Sequence, residues 1–367
     1  MPDLLRRPLV RAFSLSFSLS VIPFTAAADI VFAAKVAGPV SNIYALDDSG
    51  ELHRLTDNIS WRDIQPDISA SGDLVFSSNR EPEAGVDLER RSENFNIYLV
   101  AAGEKPRAIA SSEHQDLEPQ FAPGGNRVAF ISRSQNSVRL GLVNRDGSQR
   151  RELLRADDIL DYAWSPDGNR IALAVRRGGE FLLGTLPVTS GDGPAAEIEV
   201  LMASAGRPPV AISWSPDSRH LAYVRHPLEG GNRTLWLRNL ETGRERRISA
   251  DGVEVQAAPE WSRDGRRLLY SGLVDYRFYY DEQTHRKVYR GGMQLFSADM
   301  QGKNRQLTDG EALHRAPVFY PGEDRIAFLY GDALDARSLV LASMDLDSGE
   351  VRRLYDGVAQ RSELRWR

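Results

Sequence analysis

Apolar positions along the chain fall in short runs with the two-residue period of strands, and each run is broken by a turn-forming cluster. The clearest case is Trp164-Ser165-Pro166-Asp167-Gly168-Asn169-Arg170-Ile171-Ala172-Leu173. Pro166 presets φ for the first central turn position, Asp167 tolerates the corner and Gly168 accepts positive φ. Ile171 and Leu173 then face one side of the outgoing strand and Ala172 the other. This apolar–turn–apolar unit recurs around Ile68, Phe121, Trp164, Trp214, Trp261 and Phe319, at intervals of 43 to 58 residues. A repeat of that length is the mark of stacked supersecondary units.

The copies include Pro66-Asp67-Ile68 with Leu74-Val75-Phe76, Pro119-Gln120-Phe121 with Val128-Ala129-Phe130, and Trp214-Ser215-Pro216-Asp217 with Leu221-Ala222-Tyr223. Trp261-Ser262-Arg263-Asp264-Gly265 with Leu268-Leu269-Tyr270, and Phe319 with Ile326-Ala327-Phe328, complete them. Between copies lies a second hairpin, such as Ile43-Tyr44-Ala45 to Leu55-Thr56-Asp57 or Gln294-Leu295-Phe296 to Gln306-Leu307-Thr308-Asp309. Each unit is therefore expected to be a four-stranded antiparallel sheet, the blade of a β-propeller. At the C-terminal end Glu363-Leu364-Arg365-Trp366 begins a further unit, and Asp29-Ile30-Val31-Phe32-Ala33 supplies the missing strand from the other terminus. The expected fold is all-β, a seven-bladed propeller whose closing blade is shared between the termini, with six blades as the alternative. Such closure leaves no unpaired edge.

The 367 residues, 41% hydrophobic and 26% charged, suit one closed domain with an ordinary core. There is no cysteine, which excludes disulfides, thiol catalysis and cysteine-ligated metals. The net charge of −5 and the lack of a basic tract argue against nucleic acid as a partner. Residues 1–28 read as a cleavable leader: Arg6, Arg7 and Arg11 precede an uncharged run from Ala12 to Phe24, and Ala26-Ala27-Ala28 supplies small residues before a cut at Asp29. That run is short for a membrane span. The mature domain, 29–367, would carry 43 basic and 50 acidic side chains and be exported to the periplasm.

Departures from the repeat mark candidate chemistry. Residues 80–96 form a charged insertion expected to be a solvated loop, and Ser190-Gly191-Asp192-Gly193-Pro194 a surface turn. A second insertion, 275–292, intersperses Tyr276, Phe278, Tyr279 and Tyr280 with charges. It reads either as an extra hairpin packed on its neighbour or as a binding lip, since aromatic residues give contact area at low entropic cost. The loops entering the inner strands would ring the mouth of a central channel. They carry Trp61 and Asp63, then His114, Asp116 and Glu118, then Asp158 and Asp161, then Arg207, and finally His314 and Arg315. His114 and His314 occupy matching repeat positions beside carboxylates, so a divalent metal is a minority reading against polar loops around a wet channel. No catalytic residue, cofactor or metal is assigned.

The Trp-Ser-Pro-Asp-Gly turns, the Ile-Ala-Phe-like strands and outer strands ending in Leu-Thr-Asp resemble the WD40-like, or PD40, repeats of the TolB family, across nearly all of 29–367. That resemblance implies a periplasmic propeller that binds proteins or cell-envelope components. TolB has an additional N-terminal domain and six blades, whereas this chain reads as a stand-alone propeller of seven. The stretch from Tyr276 to Gly310 is similar to propellers of acylaminoacyl-peptidase-like enzymes, but no Gly-x-Ser-x-Gly elbow occurs in the chain. A third resemblance, to oligogalacturonate lyases, implies a metal-dependent enzyme using His114 and His314, with Arg315 or Arg207 on a substrate carboxylate. The expected function is a monomeric, non-enzymatic binding module for an envelope protein or peptide, with a polysaccharide as the other partner class and a polysaccharide lyase as the alternative.

Overall fold

A computed structural model describes residues 30–38, 40–47, 51–80, 94–101, 103–188, 197–227, 230–283, 285–336, 338–359 and 364–366. The leader at 1–28, residues 81–93 of the charged insertion and the turn at 190–194 lie outside the described residues. All regular structure among the described residues is β-strand. No described helix is long and apolar enough to cross a membrane.

Four sheets stand free, each of four antiparallel strands in sequence order or its reverse. The first joins Asp63–Ile68, Leu74–Ser78, Asn96–Val100 and Arg107–Ala110. The second joins Gln115–Phe121, Arg127–Arg133, Val138–Asn144 and Arg151–Ala156. The third runs from Asp158–Trp164 through Arg170–Arg177 and Glu180–Pro187 to Glu199–Ser204, and the fourth from Val210–Trp214 through His220–Arg225 and Thr234–Asn239 to Glu245–Arg247. The remaining strands form one thirteen-stranded sheet. Two single-residue pairings, Met293 with Leu313 and Ala34 with Val358, hold its three groups together.

In the first of those groups Glu254–Val255 and Glu260–Trp261 both pair with Arg267–Asp281, followed by Arg286–Asp299 and Asn304–Gln306. The second runs Leu313–Phe319, Arg325–Gly331, Ser338–Asp345, Val351–Ala359. The third joins the two ends of the chain: Arg365–Trp366 pairs antiparallel with Ile30–Ala37, which continues to Val40–Leu46 and Leu52–Arg54. Ile30 lies opposite Trp366 and Val31 opposite Arg365, the pairing expected from the sequence.

The repeated turn explains itself chemically. Ser165 Oγ donates to Asp167 Oδ1 at 2.6 Å and accepts the Arg170 N–H, while Asp167 Oδ1 also accepts the Asn169 N–H. Gly168 closes the corner with φ 71°. Ser215–Asp217 and Ser262–Asp264 repeat the arrangement. Its hydrogen bonds, led by the serine hydroxyl, hold the Asp167 and Asp264 carboxyls below their usual range.

Three of the strands that leave these turns begin with an arginine that covers the aromatic ring of the following sheet. Arg127 lies over Trp164, Arg170 over Trp214 and Arg267 over Phe319, at 5.7, 4.9 and 5.2 Å. Trp214 Nε1 donates to the Ala163 carbonyl of the preceding sheet at 3.0 Å. Beneath these contacts the sheets share cores: Val75, Ile97 and Leu99 of the first pack with Phe121, Val128 and Phe130 of the second. Burial at such junctions removes apolar surface at roughly 25 cal/mol per Å².

Candidate functional site

The first strands of the sheets are irregular at one recurrent place. Gln65, Glu118, Ala211 and Ala316 all have φ between 51° and 58°, each at a break in strand register. The break turns side chains and amides sideways to the next sheet. Gln65 Oε1 accepts the Glu118 N–H at 3.1 Å, and Asp67 Oδ2 the Phe121 N–H at 2.7 Å. Asp161 Oδ2 likewise accepts the Ile212 N–H at 2.7 Å. The Glu118 carbonyl accepts from the Tyr162 hydroxyl. Glu118 and Asp161 are thus fixed in sheet-to-sheet contacts.

The acids ahead of these breaks are fixed as well. Asp63 is fully buried and accepts from Asn58, Ser78 and Arg80, the last at 2.5 Å. Asp116 is also fully buried and pairs with Arg150 at 3.1 Å and the Ser112 hydroxyl at 3.0 Å. Asp158 binds Arg133 at 2.8 Å. Asp63 and Asp116 thereby tie the start of a first strand to an arginine close to their own sheet, and Asp158 ties its strand to an arginine of the preceding sheet. Trp61 is half-buried with its N–H on Asn58 Oδ1 at 2.6 Å.

His314 is 9% exposed, with Nδ1 at 3.2 Å from the Met293 carbonyl and its ring against Phe328 and Tyr330. Burial pushes its pKa below the ordinary imidazole value. His114 is half-buried, and its N–H donates to Ser112 Oγ. Neither histidine belongs to a metal-compatible group of three side chains among the described residues. Arg315 is half-buried and Arg207 exposed. Burial first, and then the Arg233 and Arg207 charges, hold the nearby His226 pKa low.

The aromatic insertion is an extension of one hairpin. Arg267–Asp281 and Arg286–Asp299 pair along their length, with a break between Val274 and Arg277. Beyond it Phe278 lies opposite Tyr289 and Tyr280 opposite Lys287. The two-residue period collects Tyr276, Phe278, Tyr280 and Tyr289 with Lys287 on one face. Tyr276 and Tyr289 stack at 6.4 Å with planes 20° apart, and Lys287 Nζ lies 5.3 Å from the Phe278 ring centre. Tyr276, Phe278 and Tyr280 remain 40%, 56% and 57% exposed. Arg277 and Tyr279 point to the opposite face, beside Arg290.

A cluster not singled out in the sequence is Asp47, Glu51 and His53, whose ligand atoms lie within 4.8 Å of one another. Its donors suit a divalent cation in kind. Asp47 Oδ2 already pairs with His53 Nε2 at 3.0 Å, and Oδ1 accepts the Glu51 N–H. Its signal is the spacing: Glu51 and His53 stand two residues apart, at the period of a strand, shortly after Asp47.

No family model matches the chain. Among solved structures, TolB from Acinetobacter baumannii superposes with a TM-score of 0.52 at 15% identity, covering 95% of this chain and 68% of that one. The fold is that of a TolB-like β-propeller. A puromycin-hydrolyzing peptidase from Mycobacterium tuberculosis gives 0.63 at 14% identity over 91% of this chain, which spans about half of that protein. Oligogalacturonate lyase from Vibrio parahaemolyticus gives 0.62 at 13% identity, covering 88% of each chain. At such identities the likeness concerns the propeller fold.

Proposed function

We propose that this chain is an exported propeller that works as a non-enzymatic binding module in the periplasm, with the leader at 1–28 and a single domain at 29–367. In this reading the four free-standing sheets and the three groups of the large sheet are seven blades, and the terminal strands latch the ring. The partner is an envelope protein or peptide, bound by a monomer without a cofactor. The observation that carries the reading is the exposed aromatic face of the 275–290 hairpin, where three large rings on one side of a two-stranded ribbon lie open to solvent. Exposed contiguous aromatic surface is costly unless it is covered part of the time.

The channel-mouth acids speak for the same reading, because Asp63, Asp116 and Asp158 are committed to arginines. A lyase reading asks His114 and His314 to share a metal, and His314 is packed between aromatic rings on a backbone carbonyl. Placing a photo-crosslinking residue at Phe278, and separately at His114, tests the proposal in envelope extracts. Adducts at 278 and none at 114 are expected. Adducts at 114 alone would move the binding surface to the channel.

A further inference from the structure

The far face of the hairpin carries a different chemistry from its aromatic face. Arg277 and Arg290 are direct cross-strand partners, so two guanidinium groups leave the same face of the ribbon side by side. Like charges placed opposite one another weaken a strand pair. Arg290 has a loose, exposed partner, Glu311, at 3.6 Å. Arg277 has no hydrogen-bond or ion-pair partner among the described residues. Both line a cavity of about 760 Å³ between the hairpin and the segment 306–311, together with Tyr279, Asp275, Glu311 and Gln306. Gly292 sets the hairpin close above this floor, and Gly291 lets its two strands approach each other closely. A Cβ at Gly291 would meet the Val274 carbonyl at 2.4 Å, and one at Gly292 the Gly310 carbonyl at 2.2 Å.

The lining is mixed in a way that selects a ligand class. Two guanidinium forks match a carboxylate or phosphate group. Asp275 and Glu311 would repel a bare anion, but they accept hydrogen bonds from hydroxyl groups. Tyr279, half exposed on the same face as Arg277, offers a flat ring for the carbon face of a sugar. Apolar walls are few, which disfavours a greasy ligand. We infer that this cavity binds an acidic saccharide, with the acid group on Arg277 and Arg290, the hydroxyls on Asp275 and Glu311, and the ring against Tyr279. The acid group is a carboxylate or a phosphate ester. The site is separate from the aromatic face, whose rings point the other way.

Titrating the purified protein with glucuronate, glucose 6-phosphate, glucose and inorganic phosphate, by calorimetry and ligand-observed NMR, tests the inference. At least one of the two acidic sugars should bind, glucose should not, and the tighter of the two identifies the acid group. Arg277→Gln should weaken binding by about tenfold or more without lowering the melting temperature. Tyr279→Ala should weaken the sugars and leave the affinity for inorganic phosphate as it was. Serine at Tyr276, Phe278 and Tyr280 should leave sugar affinity intact, so failure of the partner surface would not be mistaken for failure here. No binding by either acidic sugar, unchanged affinity in Arg277→Gln, or inorganic phosphate binding as tightly as glucose 6-phosphate would each overturn the assignment.

Discussion

Two hairpins in this protein share an antiparallel ladder and differ in everything their side chains do. In the turn between Val210–Trp214 and His220–Arg225, Ser215 and Asp217 bind each other and the backbone, Trp214 is 6% exposed, and Arg170 from the preceding sheet covers its ring. In the ribbon beyond Val274, rings of similar size stand 40% to 57% exposed, and two arginines face one another. The first hairpin spends its aromatic and charged groups on its neighbours. The second leaves them to solvent. The groups that hold the sheets together are thus kept apart from those left open on the ribbon.

That contrast can be broken most severely at Trp214. Trp214→Ala removes a buried ring and its bond to Ala163, and should cost about 4 kcal/mol of stability, read from denaturant midpoints. Asp63→Ala should come next, at about 3 kcal/mol, because it strands the Arg80 guanidinium among buried groups. Serine at each of Tyr276, Phe278 and Tyr280 sits at the other end, with a stability change within about 0.5 kcal/mol and loss of partner crosslinking.

Between these lies a pH effect. The folded His314 pKa is lowered by burial, so between its folded and unfolded pKa values the unfolded chain binds more protons. Stability contributed by the neutral imidazole is complete above the unfolded value of 6.5 and is lost as pH falls below it, towards the folded value. The steepest slope is about 1.4 kcal/mol per pH unit. Subtracting the stability curve of His314→Phe from that of the wild type should isolate this loss, and a flat difference across pH 5 to about 7 would refute it.

Much of the fold was legible because each turn is local chemistry. Ser165, Pro166, Asp167 and Gly168 specify their corner within a few residues, and the repeat then sets the sheets. Even the pairing of Ile30 with Trp366 followed from counting the strands at each end. The roles of the residues expected at a channel mouth were not legible. Asp63, Asp116 and Asp158 looked like free carboxylates because Arg80, Arg150 and Arg133 lie 17 to 34 residues away and meet them only in the folded chain. His314 matched His114 by repeat position, but the rings of Phe328 and Tyr330 enclose it. The insertion showed its aromatics plainly. Which of them share a face depended on the register break between Val274 and Arg277, which also brings Arg277 opposite Arg290.

The division of labour between ring and ribbon is tested most directly by excising the ribbon. Val274 and Gly292 are direct partners across the ladder, so residues 275–291 can be replaced by an Asn-Gly turn. The account predicts a melting temperature within about 2 °C of the wild type and loss of the envelope crosslinks. A shortened protein that keeps its crosslinks, or one that melts about 8 °C lower, would contradict it.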